Sequence, residues 1–494
     1  MAEEKKEPAG SLKDIIAHAK EYGFVFPSSE IYDGLQAVYD YGQYGVELKN
    51  NLKNIWWKAM TMLNDNVVGI DASIFMHPLT WKASGHVDSF NDPMIDNKDS
   101  KKRYRADQLL EAKAEEYTNN GHSERGAALL SQMGRLLDAN DLEGVRELII
   151  EEGIFCPISG TANWTEVRQF NLMFSTQVGA VSDDASLIYL RPETAQGIFV
   201  NFLNVQKTGR MKIPFGIAQI GKAFRNEIVA RQFTFRMREF EQMEMQFFCR
   251  PGTEMEWYES WKNTRMKFHQ ALGIPAEKLR FKPHDKLAHY ANAAVDIEYQ
   301  FPFGFREMEG IHSRTDFDLK NHQELSRKKQ QYFDNDLNED GKPYGNYIPY
   351  VVETSVGADR LFLAVFSNAY TEETSEDGKT RVYLKLHPAI APVKVAVLPI
   401  VKKDGLPDKA REIQNMLKYD FNVFYEERDS IGKRYTRQDL IGTPFCIAID
   451  YQTLEDSTVT IRYRDTTEQE RVHISELKAK IGYEVSSERI FENL

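Results

Sequence analysis

Arginines and glutamates alternate with aromatic residues in one apolar stretch, FRNEIVARQFTFRMREFEQMEMQFF, which runs from Phe224 to Phe248. Each charge buried without a partner would cost roughly several kcal/mol. Arginine forks that bind a polyanion, such as a nucleoside triphosphate, would offset that cost. A single arginine beside a carboxylate is often a structural ion pair, but the density of charges here favours a ligand-binding hairpin.

Strand periodicity divides this hairpin into two faces. Residues two apart share a face of a strand, so we expect Arg225 and Glu227 to lie side by side. For the same reason, Glu241 on the return strand should point away from Glu244. The long connection between the two strands is rich in arginine.

A second charged stretch, VVETSVGADRLFLAVF (351–366), predicts a strand that carries Glu353 and Ser355, a turn at Gly357 and a helix from about Ala358. Arg360 would lie in the first turn of that helix, where its charge opposes the helix dipole. Its position therefore suggests an anion nearby, although a solvated arginine is the simpler alternative.

A third stretch, PFGFREMEGIHSRTDFDL (302–319), adds Glu307 and Glu309. Close carboxylates can hold a magnesium ion that bridges phosphate oxygens. The three stretches together predict a site for a magnesium nucleotide.

The surrounding pattern indicates which elements position these residues. From Cys156 to about Ala369, apolar residues alternate with polar ones, which is typical of an antiparallel sheet with one functional face. Residues 87–150 change to helical periodicity and predict a helical insertion, and 371–381 are predicted to be a polar linker or loop. From about residue 389, strands and helices alternate in an α/β domain of roughly a hundred residues.

Composition narrows the class of protein. The chain has 494 residues, which predicts about three domains, and its net charge of −12 argues against a globally basic nucleic-acid binder. Cys156, Cys249 and Cys446 lie far apart, as expected in a reducing compartment. No apolar run approaches the roughly 18 residues of a membrane span, and residues 1–10 lack an apolar signal core and are predicted to be disordered. We expect a cytoplasmic protein without membrane contact.

The charged stretches resemble the motifs of a known enzyme family. FRNE with FTFRMREFEQMEMQFF resembles motif 2 of the class II aminoacyl-tRNA synthetases, SVGADRLFL resembles motif 3, and residues 31–57 resemble motif 1. SGHVDSF, RYRAD, NLMFST, YLRPETAQGIFVNF and RTDFDL, in this order, are similar to the homodimeric glycyl-tRNA synthetases. The resemblance extends over residues 11–494.

The resemblance implies an α+β fold with a class II antiparallel-sheet catalytic domain (11–86 and 151–388), a helical insertion (87–150) and a C-terminal α/β anticodon-binding domain (389–494). It implies ATP-dependent activation of glycine, followed by transfer of the glycyl group to tRNA(Gly). It also implies a homodimer formed through motif 1. Diadenosine tetraphosphate synthesis is a chemically plausible side activity of such an enzyme.

For ATP, the resemblance implies that Arg225 contacts the α-phosphate, Arg236 reaches the phosphates, and Phe235 stacks on adenine. Arg360 would hold the γ-phosphate or the far face of adenine, and Glu227 would approach the adenine amino group or the tRNA end. Arg225, Glu227 and Arg360 are thus expected to be catalytic. The implied ATP site consists of Arg225, Asn226, Glu227, Phe235, Arg236, Met237, Arg238, Glu239, Phe240, Glu307, Met308, Gly357, Ala358, Asp359 and Arg360.

Glycine has no side chain to grip, so its site must bind the ammonium and exclude larger amino acids by crowding. A ring of carboxylates suits that task, and the resemblance implies Glu193, Glu244 and Glu353, with Ser355. Without the ammonium these carboxylates would repel one another, so we expect at least one to have a raised pKa. The implied glycine site consists of Arg105, Glu193, Phe240, Glu241, Gln242, Met243, Glu244, Glu353, Thr354, Ser355, Val356 and Gly357.

Two pairs of arginines keep open assignments. Arg103 competes with Arg105 for the substrate, and the alternative for Arg105 is a surface basic patch. Arg231 and Arg238 fit either a contact with the tRNA end or a structural ion pair.

The C-terminal domain is not basic overall, with 16 Lys+Arg against 18 Asp+Glu from Lys394 onward. Contact with tRNA phosphates would therefore need a local patch. Lys433, Arg434 and Arg437, in RDSIGKRYTRQDLIG, are the candidates, and a solvated helix face is the alternative.

Metal binding is expected only through the nucleotide. Relatives in the family often carry paired cysteines near RYRAD and NLMF, whereas this chain has only Cys156 there. A structural zinc needs about four ligands, so no structural zinc is predicted. Magnesium is expected to arrive with ATP, with Glu307 as its candidate ligand.

Two other functions fit part of the pattern. Synthetases for threonine, proline, serine and histidine share the scaffold, but RPETAQG and FEQME favour the glycine enzyme. A non-catalytic paralogue would be expected to lose motif arginines, and Arg225, Arg236 and Arg360 are all present.

Overall fold

The computed structural model describes residues 10–179, 187–228, 232–284, 287, 291–375 and 378–494. Arg231 and residues 1–9, on which the sequence analysis makes predictions, lie outside the described residues. The chain divides into two compact units. Unit 1 comprises Met1–Ser73, Glu193–Ala223 and Gln232–Leu494, and unit 2 comprises Ile74–Pro192 and Phe224–Arg231.

The helices of the described residues are numbered in chain order. They are Leu12–Glu21 (α1), Gln43–Thr61 (α2), Pro78–Ala83 (α3), His86–Ser89 (α4), Ala106–Asn119 (α5), Ser123–Asp138 (α6), Leu142–Glu151 (α7), Ala195–Thr208 (α8), Glu254–Ala271 (α9), Phe317–Ser326 (α10), Ala358–Ala369 (α11), Leu406–Leu417 (α12), Ile431–Ile441 (α13), Tyr451–Asp456 (α14), Leu477–Glu484 (α15) and Glu488–Phe491 (α16). Ser11 and Asp14 close the start of α1 with a reciprocal capping box. In the described part of the chain, no helix is long and apolar enough to span a bilayer.

The strands are numbered in the same way. They are Val25–Pro27 (β1), Tyr39–Tyr41 (β2), Val67–Gly69 (β3), Asn91–Asn97 (β4), Lys102–Arg105 (β5), Arg168–Asn171 (β6), Ser175–Gln177 (β7), Leu187–Tyr189 (β8), Phe215–Phe224 (β9), Glu239–Cys249 (β10), Leu279–Pro283 (β11), Ala293–Phe301 (β12), Gly304–Thr315 (β13), Tyr332–Leu337 (β14), Pro343–Tyr347 (β15), Tyr350–Gly357 (β16), Tyr370–Thr374 (β17), Thr380–Leu384 (β18), Val395–Pro399 (β19), Val423–Tyr425 (β20), Phe445–Ile449 (β21), Thr458–Tyr463 (β22) and Gln469–His473 (β23).

A seven-stranded sheet forms the centre of unit 1, with the strand order β11-β12-β13-β16-β10-β9-β3. The five strands from β11 to β10 are antiparallel to their neighbours, as predicted, and β3 pairs with β9 in parallel. On β10, Met243, Met245 and Phe247 join one large core with apolar residues of α2, α9 and α11. Gln242, Glu244 and Gln246, which alternate with them, therefore lie on the other face of the sheet.

The C-terminal part of unit 1 contains a five-stranded sheet with the order β20-β19-β21-β22-β23. Strand β19 is parallel to β20 and β21, whereas β21, β22 and β23 are antiparallel. Leu406, Ile413 and Leu417 of α12 and Leu477 and Ile481 of α15 pack into one core with this sheet. The predicted alternation of strands and helices is confirmed.

The prediction of a polar linker or loop at 371–381 is wrong at both ends of the stretch, because β17 and β18 occupy them and pair as an antiparallel hairpin. Residues 376 and 377, between the strands, lie outside the described residues. Polar side chains on the exposed part of the hairpin conceal the strand from sequence reading. Arg381 of β18 donates from Nε to Asp439 Oδ2 of α13 at 3.1 Å. The hairpin thus connects to the C-terminal part by an ion pair.

Unit 2 contains a three-stranded sheet, β5-β4-β6, and the helices α3 to α7. Ile95, Leu110, Val145 and Trp164 belong to its apolar core. Residues 87–150 are helical from α5 onward, as predicted, but β4 and β5 occupy part of the first third of that range. Strand β4 carries two aspartates, two asparagines and a proline, so its sequence has little of the usual strand signal.

Candidate active site

The polar face of the unit 1 sheet carries a group of buried charged residues. The register of β10 with β16 aligns Glu244 with Ser355 and Gln246 with Glu353. On the other side of β16, His312 of β13 is aligned with Glu353. Because aligned residues of neighbouring strands point to the same face, the pairing of three strands brings these side chains together.

Hydrogen bonds join the buried glutamates. Gln246 Nε2 donates to Glu244 Oε1 at 3.0 Å and to Glu353 Oε2 at 2.7 Å. The Thr194 hydroxyl donates to the other carboxylate oxygen of Glu244. Glu244 and Glu353 are only 2% and 4% exposed. Together with Glu193, whose negative charge acts on Glu244, they form what we call the carboxylate cluster.

Arg314 supplies positive charge beside this cluster, and His312 supplies a ring nitrogen. Arg314 Nη1 donates to Glu353 Oε2 at 3.0 Å, while its Nε and Nη2 bind the two oxygens of Asp318. His312 Nδ1 lies 2.8 Å from Glu353 Oε1. The arginine is therefore shared between two carboxylates, and the group holds an excess of acidic side chains.

This excess of acidic side chains gives Glu244 and Glu353 pKa values that are shifted in opposite directions. Burial raises the pKa of Glu244 well above its usual value, and the charges of Glu353 and Glu193 raise it further. Burial acts on Glu353 as well, but Arg314 and His312 outweigh it and hold the pKa of Glu353 well below its usual range. The raised pKa expected within the group thus falls on Glu244. An amine bound here would be paired by Glu353 and would favour ionisation of Glu244.

Glu193 lies in the loop before α8, where an amide holds it. Gln196 Nε2 donates to Glu193 Oε1 and to Asp318 Oδ1, both at 3.0 Å. His322 Nε2 lies 2.8 Å from Gln196 Oε1. Sequence reasoning missed the partners Thr194, Gln196, Gln246, His312, Arg314 and Asp318. The sequence did contain an indication of these residues, because polar side chains occur in otherwise apolar segments at positions that face the protein interior.

A second group joins three residues of the predicted ATP site. The Arg360 guanidinium lies 4.5 Å from the centroid of the Phe235 ring, and its Nε donates to the Phe235 carbonyl at 3.2 Å. Arg360 also pairs with the half-exposed Glu307 carboxylate at 3.0 Å. The Phe235 ring meets Phe301 and Phe303 edge-on. Arg360 thus contacts both Phe235 and Glu307.

Glu309 does not join Glu307, because a bulge in β13 separates them. The register between β12 and β13 shifts by one residue at this place, which reverses the alternation of the two faces. Glu309 is fully buried and lies 2.6 Å from both Arg265 Nε and His269 Nε2. The prediction that Glu307 and Glu309 share a magnesium ion is therefore wrong.

Asp359 and Glu241 belong to a separate ionic group. Lys49 Nζ binds Asp359 at 2.7 Å and Glu241 at 2.8 Å, and Lys53 binds Glu241 at 3.1 Å. The Tyr41 hydroxyl donates to Asp359 Oδ1 at 2.5 Å, and the Glu241 N–H donates to Oδ2 at 2.7 Å. The structure does not bring these two carboxylates to the carboxylate cluster. They instead tie α2 and β2 to β10 and α11.

The other predicted residues of unit 1 fall into two classes. Those with exposed fractions of at most 5% are Met237, Met243, Met308, Thr354, Val356 and Ala358. Those that are half-buried are Arg236, Arg238, Glu239, Phe240, Gln242, Ser355 and Gly357. Arg238 donates to the Gln36 carbonyl at 3.3 Å, and Gln242 accepts from the Thr194 N–H at 3.1 Å.

Arg225, Asn226 and Glu227 belong to unit 2 and follow the end of β9 in irregular backbone. The predicted shared strand face is therefore wrong for Arg225 and Glu227, because the strand has already ended. Arg225 Nε donates to the Pro192 carbonyl at 3.0 Å, and its guanidinium lies 5.4 Å from the centroid of the Phe90 ring. Glu227 is buried.

Arg105, also in unit 2, is held by Asp107 at 2.6 Å and by Asp92 at 3.1 Å. Burial lowers the pKa of Arg105, but these aspartates and the charge of Glu227 raise it above its usual value. Arg103 forms a more exposed ion pair with an aspartate of β4. Of the two arginines, Arg105 is the one whose charge interacts with Glu227.

In the C-terminal part, the three basic candidates lie on α13 but differ in exposure and in their partners. Lys433 is exposed, and Arg437 pairs with Glu426 and Asp429 at 2.9 Å each. Arg434 is 1% exposed, and it donates to backbone carbonyls of the loops around it. The prediction of a phosphate contact is therefore wrong for Arg434.

Family profiles match three parts of the chain. A profile described as tRNA synthetase class II core domain (G, H, P, S and T) matches residues 177–369. One described as glycyl-tRNA synthetase insertion domain 1 matches residues 92–128 and 121–172. One described as anticodon binding domain matches residues 394–483.

Solved structures with the same fold include two proteins from Cryptosporidium parvum, each 14% identical to this chain. The RNA binding domain of threonyl-tRNA synthetase has a TM-score of 0.62 over 96% of this chain and 98% of its own. Prolyl-tRNA synthetase has a TM-score of 0.59 over 97% of this chain and 77% of its own. At this identity, the likeness shows the fold alone.

Curated relatives are far more similar in sequence. A glycine–tRNA ligase of Chlorobaculum tepidum is 55% identical over 94% of this chain and 98% of its own length. Glycine–tRNA ligases of Macrococcus caseolyticus and Geobacillus thermodenitrificans are each 52% identical, over 95% and 98% of this chain and over 97% and 100% of their own lengths. The chain therefore belongs to the glycine–tRNA ligase family of class II aminoacyl-tRNA synthetases.

Proposed function

We propose that this protein is a glycine–tRNA ligase, which activates glycine with ATP to glycyl-adenylate and then transfers the glycyl group to the 3′ end of tRNA(Gly). The observation that carries the proposal is an identity of 52–55% to glycine–tRNA ligases along almost the whole chain. The buried carboxylate cluster supports it, because an excess of negative charge is suited to a small ammonium.

Glycine recognition is proposed to centre on Glu244 and Glu353. Their carboxylates would accept charge-assisted hydrogen bonds from the ammonium, with Glu193 adding a third negative charge. Ser355 and Gln242 lie on the same face of the sheet and would line the remaining space. An amino acid with a larger side chain would have to displace these packed groups, which excludes it.

Activation joins the glycine carboxylate to the α-phosphorus of ATP. A carboxylate oxygen forms the new bond, the bond from phosphorus to the β-phosphate oxygen breaks, and pyrophosphate leaves with the electron pair. Arg225 and Arg236 are proposed to stabilise the negative charge that develops on the phosphates. The protein therefore acts through positioning and electrostatics, without a covalent enzyme nucleophile.

Magnesium would accompany ATP and neutralise part of the phosphate charge. The Glu307 carboxylate fits this ion, since it is a hard oxygen ligand and half exposed. It would have to exchange its contact with Arg360 for the metal.

Adenine is proposed to stack on Phe235, with Arg360 on its far face. A base between the two needs roughly 3.5 Å on each side. The guanidinium now lies 4.5 Å from the ring centroid, so Arg360 would swing away from Phe235 when adenine enters. The other residues of the implied ATP and glycine sites are proposed to line these subsites or to hold their walls.

The remaining parts of the proposal concern domains and partners. Residues 11–86 and 151–388 would form the catalytic domain, 87–150 the insertion and 389–494 the anticodon-binding domain. Ile31, Tyr32 and Leu35, in the motif 1 segment, are 86%, 80% and 56% exposed, which supports a homodimer formed there. Since tRNA(Gly) is used in translation, we place the reaction in the cytoplasm.

The test is exchange of labelled pyrophosphate into ATP with glycine and, in parallel, with alanine, serine, threonine and proline. We expect exchange with glycine alone, and glycylation when tRNA(Gly) is added. Glu259→Gln, which removes the ion pair with Lys262 on α9, is a matched control that should keep both activities. Exchange with threonine or proline in place of glycine would overturn the proposal.

A further inference from the structure

Three side chains that can ligate metals lie on adjacent strands near the carboxylate cluster. His284 follows β11, Asp296 lies on β12, and His312 lies on β13. Ala294 of β12 is aligned with His312, and its carbonyl accepts the backbone N–H of His284, so the two histidines flank Ala294 in one row across the strands. Asp296 lies two residues further along β12 and therefore points to the same face. One ligand atom from each lies within 4.8 Å of the other two, and in the described part of the chain this is the one such group of three.

His284 and Asp296 already form a close pair. His284 Nε2 is buried and lies 2.9 Å from Asp296 Oδ1. With the ring proton on Nδ1, the Nε2 lone pair and the carboxylate oxygen would both be available to one cation, which would bind them in place of this contact.

His312 is oriented to bind such a cation. Its Nδ1 lies 2.8 Å from Glu353 Oε1, which leaves Nε2 for a metal. A carboxylate on the second nitrogen of a ligating histidine fixes the tautomer and raises the basicity of the ligand. Gly310 keeps the space open, since a Cβ there would lie 2.8 Å from His312 Cε1 and would also touch His312 Nε2 and Asp296 Oδ1.

We propose that His284, Asp296 and His312 bind one divalent transition metal, for which zinc is the best match, with water completing the coordination. Two imidazoles and one carboxylate are ligands that zinc accepts, whereas magnesium and calcium prefer oxygen alone. The side chains are half-buried, so an ion can enter and keep a water ligand. This proposal departs from the sequence prediction of no zinc, because strand pairing brings together ligands that lie far from Cys156 in the sequence.

The metal would also act on Glu353 through His312. Metal binding at Nε2 leaves the proton on Nδ1, where it donates to the Glu353 carboxylate and holds its position. This consequence, unlike the metal site itself, rests on the proposed glycine function. His312 is in that sense a positioning residue.

The test measures metal in full-length protein that has been equilibrated with zinc and freed of excess by gel filtration. Wild type should retain about one zinc per chain. Asp296→Asn, which keeps the shape of the side chain, and the double variant His284→Ala with His312→Ala should retain less than a tenth of that. His122→Ala, at an exposed histidine of unit 2, should match the wild type. Equal zinc in wild type and double variant would overturn the proposal.

Cobalt provides a second measurement on the same proteins. A site with three protein ligands should give intense visible absorption, which the double variant lacks; the pale spectrum of hydrated cobalt with wild type would count against the site. Glu353→Gln should weaken metal binding about tenfold or more, because it removes the partner of His312. An unchanged affinity would contradict the link to Glu353. If the wild type binds no metal but keeps glycine-dependent exchange, only this inference is defeated. If the wild type binds the metal but shows no exchange with glycine, only the proposed function is defeated.

Discussion

Two groups of buried charge lie on the same sheet of unit 1 and differ in their balance. In the first, which we call the core triad, Glu309 receives Arg265 on one oxygen and His269 on the other, each at 2.6 Å. Burial raises the pKa of Glu309, but Arg265 and His269 outweigh it and the pKa falls below its usual value. One positive and one negative charge cancel beside a histidine whose pKa burial lowers.

The carboxylate cluster lacks this balance. Arg314 and His312 keep Glu353 ionised, yet Arg314 also serves Asp318, and Glu244 is left with a pKa well above its usual value. The core triad, whose single carboxylate has a lowered pKa, is thus complete within the chain. A raised pKa beside other carboxylates marks a group that a cation would complete, which is a property of binding sites.

The largest expected effect comes from breaking the core triad. Glu309→Gln leaves the charge of Arg265 buried without its partner, so we expect a loss of about 3–5 kcal/mol in the free energy of unfolding. Urea unfolding followed by tryptophan fluorescence measures it, since Trp257 and Trp261 lie on α9 beside Arg265. Activity per folded molecule should change little.

Two further variants make this prediction sharper. Glu298→Gln removes an ion pair with Arg280, in which the arginine is 52% exposed and the glutamate is 14% exposed, so it should cost less, about 1 kcal/mol. Arg265→Met with Glu309→Leu removes both charges and should recover much of the loss. If Glu309→Gln were no more harmful than Glu298→Gln, the triad would not be a structural ion group.

A substitution in the carboxylate cluster should change glycine kinetics strongly and stability only slightly, the opposite of a substitution in the core triad. Glu244→Gln resembles the neutral acid that the protein already favours, so the free energy of unfolding should change by less than about 0.5 kcal/mol. The kcat/KM for glycine in pyrophosphate exchange should fall about a hundredfold, because the ammonium loses a charged partner in a buried site. A variant that is destabilised like Glu309→Gln but keeps its glycine kinetics would reverse the roles of the two groups.

Strand periodicity and Coulomb repulsion were enough to predict part of this comparison. The separation of Glu241 from Glu244 follows from the period of two, and the raised pKa within the cluster follows from like charges held together. The burial of Glu309 could not be predicted, because the bulge in β13 depends on its pairing with β12. The position of Arg225 likewise depended on where β9 ends.

Long-range pairing explains what else was missed. Arg314 lies between Glu353 and Asp318 only because β13 pairs with β16 and the chain then turns into α10, and no local pattern encodes that arrangement. Arg434 was more accessible to prediction. It shares a helical face with Gln438 and Ile441, which are also buried, so its spacing indicated the inner side of α13.

The raised pKa of Glu244 predicts a pH dependence of glycine binding. The ammonium favours ionised Glu244, so glycine binding should release up to one proton from Glu244 when the pH is below the pKa of the free carboxyl. In that range, the glycine Kd should fall by about tenfold for each unit by which the pH rises. Above that pKa the dependence should level off. Calorimetric titration in two buffers of different ionisation enthalpy measures the proton. Glu244→Gln should release none, and proton uptake by the wild type would contradict the assignment.

The smallest expected effect applies the same contrast to α13, where Arg434 is satisfied by carbonyl groups and Lys433 is exposed. Lys433→Ala should weaken tRNA binding and lower the slope of log K against log salt by about one, because one phosphate contact is lost. Lys418→Ala, which removes the same charge at the end of α12, should leave the slope unchanged. Filter binding at several salt concentrations gives both slopes. Equal slopes for the two variants would mean that overall charge, rather than a contact at Lys433, governs the affinity, and α13 would then be a solvated helix face.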